Sequence, residues 1–178
     1  MLDKFYITPG QWRHFFRWTL YSLLFLSAMI LQTVIWGDDG FLGQNPHVVA
    51  VVILTVCMVE GPERGGLFAL LSSTFWALSG IDRGALQILC LTTLPVLSVY
   101  WTRKLFSISY IPDLLSCGLI LFITNTVDFL LRMFYDGIPG YMFFTRLLPG
   151  IGVTLLFQPL IYWLVKSMEK IGDPYEAK

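Results

Sequence analysis

The sequence contains few charged residues. Asp, Glu, Lys and Arg together form 13% of its 178 residues and hydrophobic residues form 56%, whereas a soluble domain typically carries about 25% charged residues. The 12 basic and 12 acidic side chains cancel, so the chain lacks the basic excess that binds nucleic acid. A disordered chain would have the opposite composition. The sequence therefore predicts an integral membrane protein with no nucleic-acid partner.

Histidine and cysteine are also scarce, which limits the chemistry available to the chain. The two histidines form no H-E-x-x-H pattern of a membrane metalloprotease. No histidine follows Ser79 to act as the base of a serine protease. Cys57, Cys90 and Cys117 lie in apolar segments without metal-ligand spacing, so we expect them to pack as small hydrophobic residues. We predict a protein that is not an enzyme and has no catalytic residues, metal site or cofactor.

Long apolar segments are what the sequence has instead. A membrane-spanning helix needs about 20 mostly apolar residues. Six candidate segments cover residues 18–36, 47–59, 65–79, 85–101, 112–135 and 143–165. The connections between them are too short to fold separately, since even a marginal domain needs about 40 residues. Residues 1–178 are therefore predicted to form one all-α membrane domain with six transmembrane helices.

The second and third segments are shorter than the bilayer core. They correspond to about 20 and 22 Å of helix, against roughly 30 Å of hydrocarbon. Residues 60–66 between them are rich in charge, Gly and Pro, and are predicted to form a turn. Either both helices cross a thinned or protein-packed region, or they form a re-entrant hairpin. Two crossings agree better with the distribution of charge.

Prolines fall inside the later segments. Pro95 lies in the fourth, Pro149 and Pro159 lie in the sixth, and Pro112 is predicted at the first helical position of the fifth. Internal prolines kink helices and free backbone carbonyls. The kinks could line a cavity or docking groove, or could simply be bends that pack.

The basic residues predict the orientation of the chain. Nine fall on one predicted side: Lys4, Arg13, Arg17, Arg64, Arg103, Lys104, Lys166, Lys170 and Lys178. The opposite side receives Asp38, Asp39, Asp82 and Asp136, with Arg83 as its clear basic loop residue. Because Lys and Arg concentrate on the cytoplasmic side of a membrane, both termini are predicted to be cytoplasmic.

One group of polar residues lies inside the predicted spans. Asn125, Asp128 and Arg132 share a face of the fifth helix, and Asp128 lies about 24 Å along it, in the outer third of the bilayer. Arg146, near the start of the sixth helix, is a second candidate partner for Asp128. An intramembrane acid is a candidate functional site. The alternative is a structural ion pair that joins helices five and six.

The turn after the second helix is the other candidate site. Its residues are Glu60, Gly61, Pro62, Glu63, Arg64 and Gly65. The turn either simply separates two helices or presents carboxylates and an arginine to a cytoplasmic partner. Small residues follow it in the third segment, namely Gly65, Gly66, Ala69, Ser72, Ser73 and Gly80, and we expect them to allow close helix packing within the protein. Gln32, Gln87 and Gln158 are expected to form hydrogen bonds between helices.

One stretch of the sequence runs from Glu60 to Phe68 and continues through Phe75-Trp76-Ala77-Leu78-Ser79-Gly80 to Gly84-Ala85-Leu86. This stretch resembles the MreD family of rod shape-determining proteins. The size, the hydropathy and the lack of extramembrane domains are also similar to that family. The chain departs from the family at Ala77, where many members carry an acidic residue, and the spacing to Gly84 is one residue shorter. A role for that carboxylate therefore cannot be transferred.

The resemblance implies a non-enzymatic component of the bacterial cell-elongation machinery in the plasma membrane. Such a component would dock MreC and, through it, the MreB filament and the peptidoglycan synthases. The resemblance also implies a fold similar to the substrate-binding subunits of energy-coupling-factor transporters, with six helices around a shallow cavity. This gives an alternative function, the capture of a vitamin-sized molecule in a pocket lined by Asp128, Arg132 and Arg146. A small-molecule ligand is expected only under that alternative.

Overall fold

The structure, a computed structural model, describes residues 9–36, 44, 46–79, 85–105, 109–137 and 139–172. Within this part of the chain there are six α-helices and two π-helical turns. The helices are α1 (Pro9–Ile30), α2 (Val48–Glu60), α3 (Pro62–Leu78), α4 (Ala85–Leu105), α5 (Tyr110–Asp136) and α6 (Leu148–Gly172). The π turn Leu31–Ile35 extends α1, and the π turn Phe143–Leu147 leads into α6. The predicted all-α class is confirmed.

Three helical segments are long and apolar enough to cross a membrane, Gly10–Ile35, Tyr110–Asp136 and Phe143–Ile171. Their outward faces carry large apolar side chains, such as Leu115 and Trp163, each 68% exposed. A soluble monomer rarely exposes so much contiguous apolar surface. These observations support a membrane protein.

Helix α2 is the centre of the structure. It contacts each of the other five helices, and its residues from Val48 to Val59 are all buried. A helix that is buried all round needs no polar face, which explains the continuous apolar sequence of α2. Helix α2 has only 13 residues. Because the other helices surround it, it can be this short and still be buried along its length.

The predicted turn at residues 60–66 is wrong in extent. Gly61 is the single residue between α2 and α3, and its φ of +96° is in a region that glycine adopts without strain. Pro62 is the first residue of α3, where its missing N–H removes no hydrogen bond. Glu63, Arg64 and the two glycines that follow are helical because a helix begins at a backbone cap rather than where hydropathy rises.

Two other helices begin at a different residue from the one predicted. Helix α1 begins at Pro9, so Arg17 is helical and does not lie in an N-terminal arm. Helix α5 begins at Tyr110, which places Pro112 at the third helical position rather than the first. Pro95 and Pro159 do lie inside α4 and α6, as predicted. Residues 4, 38, 39, 80, 82–84 and 178 and the side chain of Gln87 lie outside the described residues, so the orientation remains a prediction.

The small residues of α3 allow two close helix contacts. A Cβ atom at Gly65 would lie 2.5 Å from the Cα atom of Cys57 in α2, and one at Gly66 would lie 2.8 Å from a methyl carbon of Val96 in α4. Gly65, Ala69, Ser72 and Ser73 are buried. The expectation that these small residues serve packing within the protein is confirmed.

Candidate functional site

A buried polar cluster holds the end of α2 against α1. The Arg17 Nε atom lies 3.2 Å from Glu60 Oε1, and both side chains are 4% exposed. The Tyr21 hydroxyl donates a hydrogen bond of 2.8 Å to the same carboxylate oxygen. Arg17 and Tyr21 are one turn apart on α1, so they reach Glu60 together.

Helix α4 holds the same turn from another direction. The Arg103 guanidinium donates a hydrogen bond of 3.2 Å to the Val59 carbonyl. It also lies against Gly61, where a Cβ atom would be 2.8 Å from both terminal guanidinium nitrogens. The single-residue turn is therefore fixed by one arginine from α1 and one from α4.

The structure divides the six predicted partner-binding residues into two groups. Glu60 is bound within the protein by Arg17 and Tyr21, and Gly61 and Gly65 are buried. Pro62 is half-buried, whereas Glu63 and Arg64 are exposed in the first turn of α3. The exposed charges available to a partner at this turn are therefore Glu63 and Arg64.

A small opening lies beside this turn, between α2, α4, α5 and α6. Its lining includes atoms of Thr102, Arg103, Ser109, Asp113 and Tyr162, and it has room for about one water-sized group. Met58, Val59 and Pro112 complete the lining, and the surface that faces the opening is apolar. This opening is too small for a vitamin-sized ligand, since ligand pockets typically measure about 300 Å³ or more.

Asp113, one of the residues that line this opening, forms a buried pair with Gln158 of α6. The Gln158 amide nitrogen donates a hydrogen bond of 2.5 Å to Asp113 Oδ2. The two side chains are 2% and 0% exposed. The sequence pattern points to Asp128 as the intramembrane acid rather than to Asp113, although Asp113 lies in the apolar segment 112–135. The expectation that Gln158 forms a hydrogen bond between helices is confirmed.

The predicted intramembrane cluster is less connected than the sequence indicated. Asp128 forms its ion pair with Arg132 of the same helix, with 2.7 Å between Oδ2 and Nε and both side chains more than one-third exposed. Asn125 donates to the Leu121 carbonyl one turn earlier. Arg146 is exposed in the π turn before α6. Among the described residues no ion pair joins Arg146 to Asp128, so the proposed ion pair between helices five and six is not formed.

Two polar side chains complete the other end of α2. The Val49 N–H donates to Gln32 Oε1 at 3.1 Å, and the His47 N–H donates to the Thr154 hydroxyl at 3.1 Å. The first N–H groups of a helix have no partner within it, and Val49 is 1% exposed. Gln32 therefore forms the predicted hydrogen bond between helices and caps a buried helix end.

Comparison with family models, with curated proteins and with solved structures gives no match for this chain.

Proposed function

We propose that this chain is a non-enzymatic membrane component of the bacterial rod-shape machinery that docks MreC. The proposal includes six transmembrane crossings, cytoplasmic termini and location in the plasma membrane. It starts from the resemblance of residues 60–86 to MreD.

The observation that supports docking most directly is the geometry of the α2–α3 turn. Glu63 and Arg64 are exposed, while the backbone that carries them is held by Arg17, Tyr21 and Arg103. Charged side chains on a fixed backbone suit recognition of a partner, because less conformational entropy is lost on binding. This turn is predicted to face the cytoplasm.

Co-purification with MreC from the same organism tests the proposal. The wild-type chain should retain MreC in mild detergent, and a variant with both Glu63→Lys and Arg64→Glu should lose it. Lys170→Glu, an exposed charge reversal in the last turn of α6, is the matched control and should retain MreC. Failure of the wild-type chain to retain MreC, while a known MreC partner does so in parallel, would exclude the proposed function.

The alternative is a substrate-binding subunit of an energy-coupling-factor transporter. A thermal-shift screen with vitamins and other micronutrients separates the two functions, because saturating ligand at 100 times its Kd should stabilise the chain by about 2.7 kcal/mol. Depletion in cells gives a second distinction. Loss of a docking component should round the cells, and loss of a transport subunit should create a nutrient requirement.

A further inference from the structure

Within the part of the chain that the structure describes, the Asp113–Gln158 pair leaves two buried acceptors without a donor. Gln158 Nε2 donates to Asp113 Oδ2, but Asp113 Oδ1 and Gln158 Oε1 have no hydrogen-bond partner among the described residues. A buried polar atom without a partner costs about 1–3 kcal/mol. The two unpartnered oxygens belong to side chains that already contact each other, so a single shared proton would satisfy both.

The charges around Asp113 do not compensate an ionised carboxylate. From α4, Arg103 lines the same opening, but its guanidinium donates to the Val59 carbonyl. From α6 comes Tyr162, whose hydroxyl accepts from Lys166. Among the described residues, no Lys, Arg or His forms an ion pair with Asp113. An ionised carboxylate buried without a partner is strongly unfavourable.

The remaining side chains around Asp113 add no positive charge. Cys117 is one turn further along α5 and is buried, and α2 contributes the apolar Met58 and Val59. A metal or alkali cation in the opening could contact Asp113, but Gln158 is not part of its lining. A cation there would leave the Gln158 carbonyl oxygen unsatisfied, whereas a proton satisfies both oxygens.

We propose that Asp113 is a proton-binding site, in which the neutral carboxyl group donates from Oδ1 to Gln158 Oε1 and accepts at Oδ2 from Gln158 Nε2. The acid and the amide then form a closed pair of hydrogen bonds between α5 and α6. The bound ligand is one proton. This site is independent of the proposed docking of MreC.

Infrared spectroscopy of the full chain in detergent or lipid tests the proposal, because a protonated carboxyl group has a carbonyl stretch that a carboxylate lacks. At neutral pH the wild-type chain should show this band, and ¹³C-labelled aspartate should shift it. Asp113→Asn should remove the band and still pair with Gln158 through its amide. Asp128→Asn is the matched control and should leave the band unchanged.

A second variant keeps the test informative if Asp113→Asn does not fold. Gln158→Leu removes both hydrogen bonds to the carboxyl group, so the aspartate band should move to higher frequency. Absence of the band from the wild-type chain at neutral pH would overturn the proposal. Its appearance only after Na⁺ and K⁺ are removed would also overturn it, by showing that a cation occupies the site.

Discussion

The Nε atom of Arg17 in α1 lies 3.2 Å from the carboxylate of Glu60 at the end of α2, and each side chain is 4% exposed. This contact joins the first helix to the last residue of the central helix. Tyr21 adds a hydrogen bond to the same carboxylate. The middle of α2 packs mainly through apolar contacts, which lack direction, so the cluster helps to define how the end of α2 is placed.

Removal of Glu60 should therefore destabilise the protein strongly. Glu60→Ala leaves the Arg17 guanidinium buried without its carboxylate, and breaking a buried ion pair in this way costs about 3–5 kcal/mol. The measurement is the free energy of unfolding in mixed micelles. Glu63→Ala is the matched control, because this exposed glutamate in the first turn of α3 contributes below about 1 kcal/mol.

The double variant Arg17→Met with Glu60→Leu tests whether the buried ion pair stabilises the fold more than apolar side chains at the same two positions would. Replacement of a whole buried ion pair by apolar residues is often neutral or stabilising, so the double variant should recover part of the stability that Glu60→Ala loses, while the buried Tyr21 hydroxyl still lacks the acceptor that Glu60 supplied. A Glu60→Ala variant as stable as the Glu63→Ala control would show that the Arg17–Glu60 contact makes no difference to folding.

The close approach of α3 to α2 depends on Gly65. Gly65→Ala places a methyl group 2.5 Å from the Cys57 Cα atom, and the backbone cannot yield as a flexible side chain would. Overpacking of this kind typically costs about 1–3 kcal/mol. Unfolding of the variant in micelles should show this loss.

Gly152→Ala is the control for Gly65→Ala. Gly152 is also helical, but a Cβ atom there meets no described residue within 4 Å. Because alanine favours helix over glycine by roughly 1 kcal/mol, Gly152→Ala should leave stability unchanged or increase it. Equal destabilisation by the two substitutions would exclude steric contact with Cys57 as the cause.

Apolar stretches predicted the existence of six helices correctly but not their ends. Hydropathy shows which residues favour an apolar environment. A helix, however, ends where its backbone hydrogen bonds end, and hydropathy does not reveal that position. Arg17 and Glu63 are helical for this reason, although both lie outside the predicted spans. The single-residue turn at Gly61 depends on a positive φ and on contact with Arg103, and neither is visible in hydropathy.

The polar contacts could be predicted only in part. The sequence predicts Arg17 and Glu60 on the same side of the membrane. It also predicts that the Gln158 side chain forms a hydrogen bond between helices. Which side chains meet depends on the three-dimensional arrangement of the helices, so the pairing with Asp113 could not be deduced. Asp113 itself was visible as an acid in an apolar segment, and its position beside Pro112 at the segment's start made it resemble a terminal residue.

The Asp128–Arg132 pair should contribute little to stability. Both side chains are more than one-third exposed and lie one helical turn apart, and pairs with this spacing whose side chains reach water contribute about 0.3–0.5 kcal/mol. A double-mutant cycle with Asp128→Asn and Arg132→Gln should give a coupling energy in that range. The same cycle with Asp128→Asn and Arg146→Gln should be additive. A coupling energy between Asp128 and Arg146 larger than that with Arg132 would show that an ion pair does join helices five and six.

Gln32 should control the stability of the first turn of α2. Its side-chain oxygen accepts the Val49 N–H at 3.1 Å, and this N–H lies in a turn that has no acceptor within its own helix. Gln32→Leu keeps a side chain of similar size but leaves a buried N–H without its acceptor, at a cost of about 1–3 kcal/mol. Because each 1.4 kcal/mol corresponds to about a tenfold change in an equilibrium, amide hydrogen exchange at Val49 should accelerate by about tenfold.

Thr33→Val is the matched control for Gln32→Leu. Its hydroxyl donates back to the Met29 carbonyl within the same helical segment, so its loss should not change exchange at Val49. Exchange should also stay unchanged at the other end of α2, near Cys57, if opening is confined to the first turn. Unaltered exchange at Val49 in Gln32→Leu would mean that another group caps the helix. Faster exchange along the whole of α2 would mean that Gln32 stabilises the entire fold. The reason is that this central helix can exchange along its whole length only when its five neighbours separate from it.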